Sequence, residues 1–217
     1  MYILISMVRT ARFNDDSFID ATIALVAEGG PPAATMQAIA RRVGAPTGSI
    51  YHRFESRSAI LGTAWNTAYA SLLAVLGPLL HAGRAREAAL AIVPWANQDG
   101  RRARFLLLND PTGLFEDSPP PAAIRERLEQ LEAEFDAAFR ACVAVHMGAM
   151  TGGEEIGEEA LARAKFLIFD GPIAVLRPHL LKGGPLPPFA GQMIAELHTG
   201  ISTAAKGGST IQPASAA

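Results

Sequence analysis

Cysteine is almost missing: Cys142 is the only one in 217 residues. No disulfide can close within the chain and no cysteine-based metal centre can form, a pattern that fits a reducing cytoplasm. Tyrosine and tryptophan number three and two. Alternating runs of β-branched residues are lacking, while Ala and Leu are plentiful, so the composition predicts an all-helical fold. No stretch reads as the about 18 consecutive apolar residues that a membrane span needs. The opening MYILISMVRTAR holds only a short apolar run, with its basic residues after it instead of before. That order argues against a signal peptide and leaves Met1 or Met7 as the start.

Lysine is rare too. Three Lys and 16 Arg face 21 acids, for a net charge of −2. Overall charge therefore does not point to nucleic acid. The distribution does: between Pro31 and Ile60, Arg41, Arg42, Arg53 and Arg57 stand against a single acid, Glu55. A local positive face can hold phosphate while the rest of a protein stays acidic.

Signs of catalysis are missing as well. His81, His146, His179 and His198 are scattered, with no HExxH or paired metal spacing. No Gly-rich loop follows a strand. Cys142 sits mid-helix on an apolar face, where an inert thiol is the default. The chain reads as having no catalytic residues, no metal site and no cofactor.

What is present centres on Thr35 to Leu61, TMQAIARRVGAPTGSIYHRFESRSAIL. Met36, Ile39, Ala40 and Val43 recur at the spacing of one helix face. Gly44 ends that helix, and Ala45-Pro46 turn the chain. A second, short helix starts near Thr47, with Ile50 and Phe54 on its buried side. Gly48, Ser49 and His52 point the other way, flanked by Tyr51 and Arg53. Helix, tight turn and short helix with a polar, aromatic outer face make a helix-turn-helix, whose second helix suits the major groove of DNA.

The run VGAPTGSIYHRF at 43–54, followed by SRSAIL at 56–61, resembles the DNA-binding signature of the TetR family of transcriptional regulators. The resemblance covers about residues 14 to 62. By geometry and by this resemblance, Gln37, Thr47, Gly48 and Tyr51 face the groove, Gln37 being able to read adenine. Thr35, Ser49, Tyr51, His52, Arg53 and Arg57 are phosphate candidates, which position the protein without selecting sequence. The position of Arg53 is often His or Tyr in the family, and Arg57 replaces a common Lys. Arg9 and Arg12 precede the first helix as a basic arm.

Along the chain, a first helix is expected over 14–28, ended by Gly29-Gly30-Pro31-Pro32. Thr35 and Ser56 are N-cap candidates. The helix after Ser56 runs to about Leu76, where Gly77-Pro78 should break it. Helices follow over 79–97, with an interruption at Gly83, and over 99–109, where Arg101, Arg102 and Arg104 read as a solvated or salt-bridged face. Pro111 to Pro121 reads as a loop. Long helices are expected over 122–150 and from Glu154 to about Leu176, parted by Thr151-Gly152-Gly153 and with a kink at Gly171-Pro172. A last helix spans 189–205. The domain division is a DNA-binding head at 1–56, a ligand-binding and dimerisation body at 57–205, and a disordered tail at 206–217.

The resemblance implies more about the body. Family members dimerise through two C-terminal helices, which here would be 122–150 and 154–178, with Phe135, Phe139, Phe166, Phe169 and Ile173 at the interface. They also hold a small effector between central helices. Trp65, Trp95, Phe105, Asn109 and Phe115 are the candidates to line that site, and the apolar body favours an apolar or aromatic effector. The expected function is a cytoplasmic, homodimeric regulator that leaves a palindromic double-stranded DNA operator when its effector binds, with no membrane partner. The alternative is a helical ligand-binding or adaptor protein that does not bind DNA specifically.

Overall fold

The structure, a computed structural model, describes residues 13–151 and 157–207, with side chains described over 13–145 and 157–199. The arm with Arg9 and Arg12, the choice of start, the Gly152-Gly153 break, the side chain of His146 and residues 208–217 of the expected tail lie outside the described residues.

Every described element is helical. The first helix, α1 (Asp15–Gly29), starts where Asn14 Oδ1 accepts from the Ser17 backbone N–H at 3.0 Å. Asp15 and Asp16 place negative charge at its positive end. It stops at Gly30, whose φ of 75° lies in the left-handed region, and a 3-10 turn covers Pro31–Ala33. Thr35 Oγ1 then caps α2 (Met36–Val43) by accepting from the Ala38 N–H at 3.1 Å. Helix α3 (Thr47–Tyr51) is short, and its cap position is Pro46, without a side-chain bond, one residue earlier than expected. Ser56 Oγ caps α4 (Arg57–His81) through the Ala59 N–H at 3.0 Å.

Helix α4 departs from expectation twice. It does not break at Gly77-Pro78 but runs on to His81 with Pro78 inside it. Gly77 has no Cβ to clash with the proline ring, and so near the helix end few hydrogen bonds remain to lose. It is also long and apolar enough to cross a bilayer, contrary to the reading that no segment is. Half of that apolar window is buried inside the protein, where α4 packs on α8, α5 and α1. It is the central strut of a folded core.

The body continues with α5 (Ala85–Gln98) and α6 (Gly100–Leu108), the latter capped by Asp99 Oδ1 accepting from the Arg102 N–H at 3.0 Å. The expected loop after it contains one short helix, α7 (Pro111–Leu114), which Asp110 caps through the Gly113 N–H. Helix α8 (Ala122–Thr151) lies along α4. Helix α9 (Glu158–Lys165) passes into a wide π turn at Phe166–Asp170 and then α10 (Gly171–Lys182). The kink expected at Gly171-Pro172 is this π turn. Pro172 has no N–H and its ring collides with the carbonyl four residues back, so the helix widens ahead of it. Gly171 also lets α11 (Phe189–Gly207) come close: a Cβ there would collide with Leu197 Cδ2.

The buried core is continuous from Phe18 in α1 to Ile194 in α11. Head and body are joined across it by surface pairs. Arg101 Nε lies 3.6 Å from Glu28, and Arg102 Nη2 3.8 Å from Asp20. Arg101 and Arg102 of the α6 cluster are thus salt-bridged towards α1, while Arg104 forms no ion pair among the described residues.

Candidate nucleic-acid interface and body cavity

The reading face is built by burying what opposes it. Ile39 and Ile50 are fully buried, and Phe54 lies edge-on to Phe18 with ring centroids 6.4 Å apart. Gly44, at φ 75°, makes the sharp turn between α2 and α3, and the Ala45 N–H closes it on the Ala40 carbonyl at 2.9 Å. These contacts fix the roll of α3, so the opposite side must face solvent. Gln37, Thr47, Gly48, Tyr51 and His52 are all exposed, and Ser49 is half-buried. Tyr51 leaves 55% of its surface in water, much for a large aromatic. Thr47 is at the first helical position and does not cap, so its hydroxyl is left for an outside partner.

Gly48 is the informative residue. A Cβ built on it meets nothing within 4 Å, and its backbone lies outside the left-handed region. The fold therefore does not require glycine there, and Gly is a poorer helix former than Ala, by up to about 1 kcal/mol in a helix interior. A missing side chain that the fold does not need, on an exposed face, leaves the backbone open to close approach from outside.

The arginines behave differently from the count. Arg42 forms a two-pronged bond to Glu28 at 2.6 and 2.7 Å, and its guanidinium holds the Glu28 carboxyl below its usual range. Arg53 pairs with Asp15 and donates to the Phe13 carbonyl at 2.8 Å. Arg57 donates from Nε to the Ala34 carbonyl at 3.0 Å, from Nη2 to the Pro31 carbonyl at 2.5 Å and from Nη1 to Asp117 at 3.0 Å. Each of these guanidinium groups is occupied inside the fold. Arg57, placed by the sequence among the phosphate contacts, ties the approach to α2 to the segment between α7 and α8. Arg41, exposed and in no ion pair among the described residues, is the cation of the four left free.

The body holds a cavity of about 420 Å³ between α4, α6, α8 and the π turn. Of the five residues expected to line an effector site, Trp65 and Asn109 line this cavity. The other three residues expected there do not. Trp95 is buried with its indole N–H on Ser71 Oγ at 3.3 Å, and Phe105 is buried behind Trp65, edge-on at 5.9 Å. Phe115 lines a separate small cleft beside Arg57 and Asp117. In their place stand four residues assigned to the dimer interface: Phe135, Phe139, Phe169 and Ile173. Phe169 packs against Phe135 and Phe139 at 4.7 and 5.9 Å. They are turned inward, and of the interface set Phe166 alone is an exposed large apolar residue. Sequence reasoning missed Tyr69, Leu72 and Leu73, which follow Trp65 on one face of α4 at helical spacing. That spacing was readable, but it does not say which face meets a void.

Among the described residues no group of three or more His, Cys, Asp or Glu side chains could hold a metal ion. Cys142 is buried, which pushes its thiol pKa up and keeps it unreactive.

A helix-turn-helix head with an outward polar face, set on a helical body with its own apolar groove, is an architecture suited to a DNA-binding regulator. Residues 18–64, which span α1 to the start of α4, match the model of the bacterial regulatory proteins of the tetR family. Among curated proteins none matches the chain. The fold is that of solved TetR-family regulators. PfmR from Thermus thermophilus superposes with a TM-score of 0.59 at 17% identity, over 84% of this chain and 94% of that one. FadR from Bacillus subtilis, solved with stearoyl-CoA, gives 0.58 at 14% identity, over 86% and 99%. A TetR-family protein from Vibrio parahaemolyticus gives 0.53 at 21% identity, over 84% and 94%.

Proposed function

We propose that this chain acts as a homodimeric repressor that holds a palindromic operator through two copies of its head and lets go when a small apolar molecule fills the body cavity. The observation that carries the DNA-reading part is the face of α3, where Thr47, Gly48 and Tyr51 stand exposed beside Gln37 while Ile50 and Phe54 lock the helix from behind. Gln37, Thr47, Gly48 and Tyr51 read bases. Thr35, Ser49, His52 and Arg41 supply phosphate contacts, with Arg53 able to exchange its surface pair with Asp15 for a phosphate. Arg57 acts one step back, by placing the start of α2.

Two half-sites need two heads. With the phenylalanines of α8 and the π turn turned inward, the exposed large apolar residues Leu181, Phe189 and Met193 on α10 and α11 mark the face for a second copy. The effector reading rests on the cavity, whose walls include α4, the helix that begins at the head. A ligand that favours one setting of α4 shifts the equilibrium between head spacings by its differential affinity for the two. FadR, which shares this fold, was solved in complex with stearoyl-CoA, so a protein of this fold can take a ligand with a long acyl chain. No enzymatic step is assigned, and the site of action is the cytoplasm.

A mobility shift with duplexes selected from a random library tests the reading. The expected result is a selected palindrome bound tighter than its half-site or bulk DNA, with binding that weakens as salt rises, and with Gln37→Ala altering the selected sequence. Binding that is absent, or equal on selected and bulk DNA, would leave the adaptor alternative.

A further inference from the structure

The cavity wall is mostly apolar and aromatic: Trp65, Tyr69, Phe135, Phe139 and Phe169 with leucines and Ile173. Its charged residues sit at the rim, and each is already engaged. Asp110 accepts from the Gly113 N–H at 2.9 Å, Asp136 from Arg140 Nε at 2.7 Å, and Lys165 lies 3.8 Å from Asp170. Three polar groups keep unused capacity. The Trp65 indole N–H is buried and has no hydrogen-bond partner among the described residues, so it can only donate. Asn109 donates from Nδ2 to the Phe105 carbonyl at 2.8 Å, which fixes the amide orientation and leaves Oδ1 as an acceptor without a donor. The Tyr69 hydroxyl makes no hydrogen bond to any described residue; the ring packs edge-on against Phe135 at 6.1 Å. Burial pushes the Tyr69 pKa up to about 12, with Glu132 adding to the shift, so the group stays a neutral O–H at pH 7.

Reading the cavity as the effector site, we infer that it selects a neutral aromatic molecule carrying a hydroxyl group. The observations behind this are the apolar wall and the three polar groups without a protein partner: Trp65 Nε1–H, which only donates, Asn109 Oδ1, which only accepts, and the Tyr69 hydroxyl, which does both. A hydroxyl is the smallest group that both gives and takes a hydrogen bond, so it can serve any of the three. A carboxylate has no proton for Asn109 Oδ1 at pH 7, and the one cation in the lining, Lys165, is paired with Asp170. An ammonium would meet the aromatic faces, which favour cations, but the lining carboxylates Asp110 and Asp136 are already engaged. A bare hydrocarbon fits the wall but gives the three polar groups no partner. The volume, about 420 Å³, suits a compact two- or three-ring body.

The test is calorimetric titration of the full chain at pH 7 with 2-naphthol, naphthalene, 2-naphthoate and 2-naphthylmethylamine, on wild type, Tyr69→Phe and Ile173→Trp. Thermal unfolding checks that both variants fold. 2-Naphthol should bind wild type at least tenfold tighter than each of the other three. Tyr69→Phe should weaken 2-naphthol about tenfold and leave naphthalene unchanged, while Ile173→Trp, which fills the space, should abolish both. If the naphthoate or the amine binds as well as the naphthol, or if Tyr69→Phe leaves naphthol affinity intact, the hydroxyl inference fails and the cavity remains an effector site. If none of the four binds folded protein, or Ile173→Trp has no effect, the effector reading of the cavity fails with it.

Discussion

Head and body spend their aromatic residues differently. In the head, Phe18 and Phe54 meet edge-on in a closed core while Tyr51 is left out in water. In the body, Trp65, Tyr69, Phe135, Phe139 and Phe169 gather around a space of about 420 Å³ that they do not fill. A small three-helix head must hold one short helix at one angle, so its aromatics close every gap. The body leaves part of its apolar wall facing a groove that is open to solvent, the kind of concave apolar surface that small molecules use. The head is built to be rigid, and the body to accept something.

Predictions that would break or sharpen this contrast fall in order of size. Phe54→Ala removes the ring behind α3 from a closed core, so it should cost about 3–5 kcal/mol and abolish DNA binding. Chemical denaturation measures the first effect. A loss of less than about 1 kcal/mol would mean the head is as loosely packed as the cavity wall. Arg57→Ala removes donors from two backbone carbonyls and from Asp117. It should cost about 1–3 kcal/mol, and Arg57→Lys should not restore it, because an ammonium cannot reproduce the fork. DNA affinity should fall evenly across sequences in parallel with that stability loss. A variant that keeps full stability yet loses salt-dependent affinity would return Arg57 to the phosphate contacts.

The same contrast explains what was legible in the sequence. Local chemistry was. Thr35 and Ser56 cap as their side chains dictate, Gly44 turns as only Gly does cheaply, and the spacing of Ile50 and Phe54 gave the roll of α3. Non-local partners were not. Arg53 and Arg57 counted as free positive charge because nothing in the order of residues says that Asp15 lies 38 positions away in chain and adjacent in space, or that Asp117 closes on Arg57. The resemblance likewise put Phe135, Phe139 and Phe169 at a dimer interface, and nothing in the order of residues says that they line a groove against α4. Pro78 shows the limit of a local rule: a proline in the last turn of a helix, after a glycine, need not end it.

Gly48→Ala is the smallest change in the head and tests the central claim most directly, because stability and DNA affinity should move in opposite directions. Space exists for the methyl group, so the variant should be more stable by about 0.5–1 kcal/mol while its affinity for the selected palindrome drops at least tenfold. A variant that is stabilised and still binds the palindrome like wild type would show that the outer face of α3 does not lie against DNA.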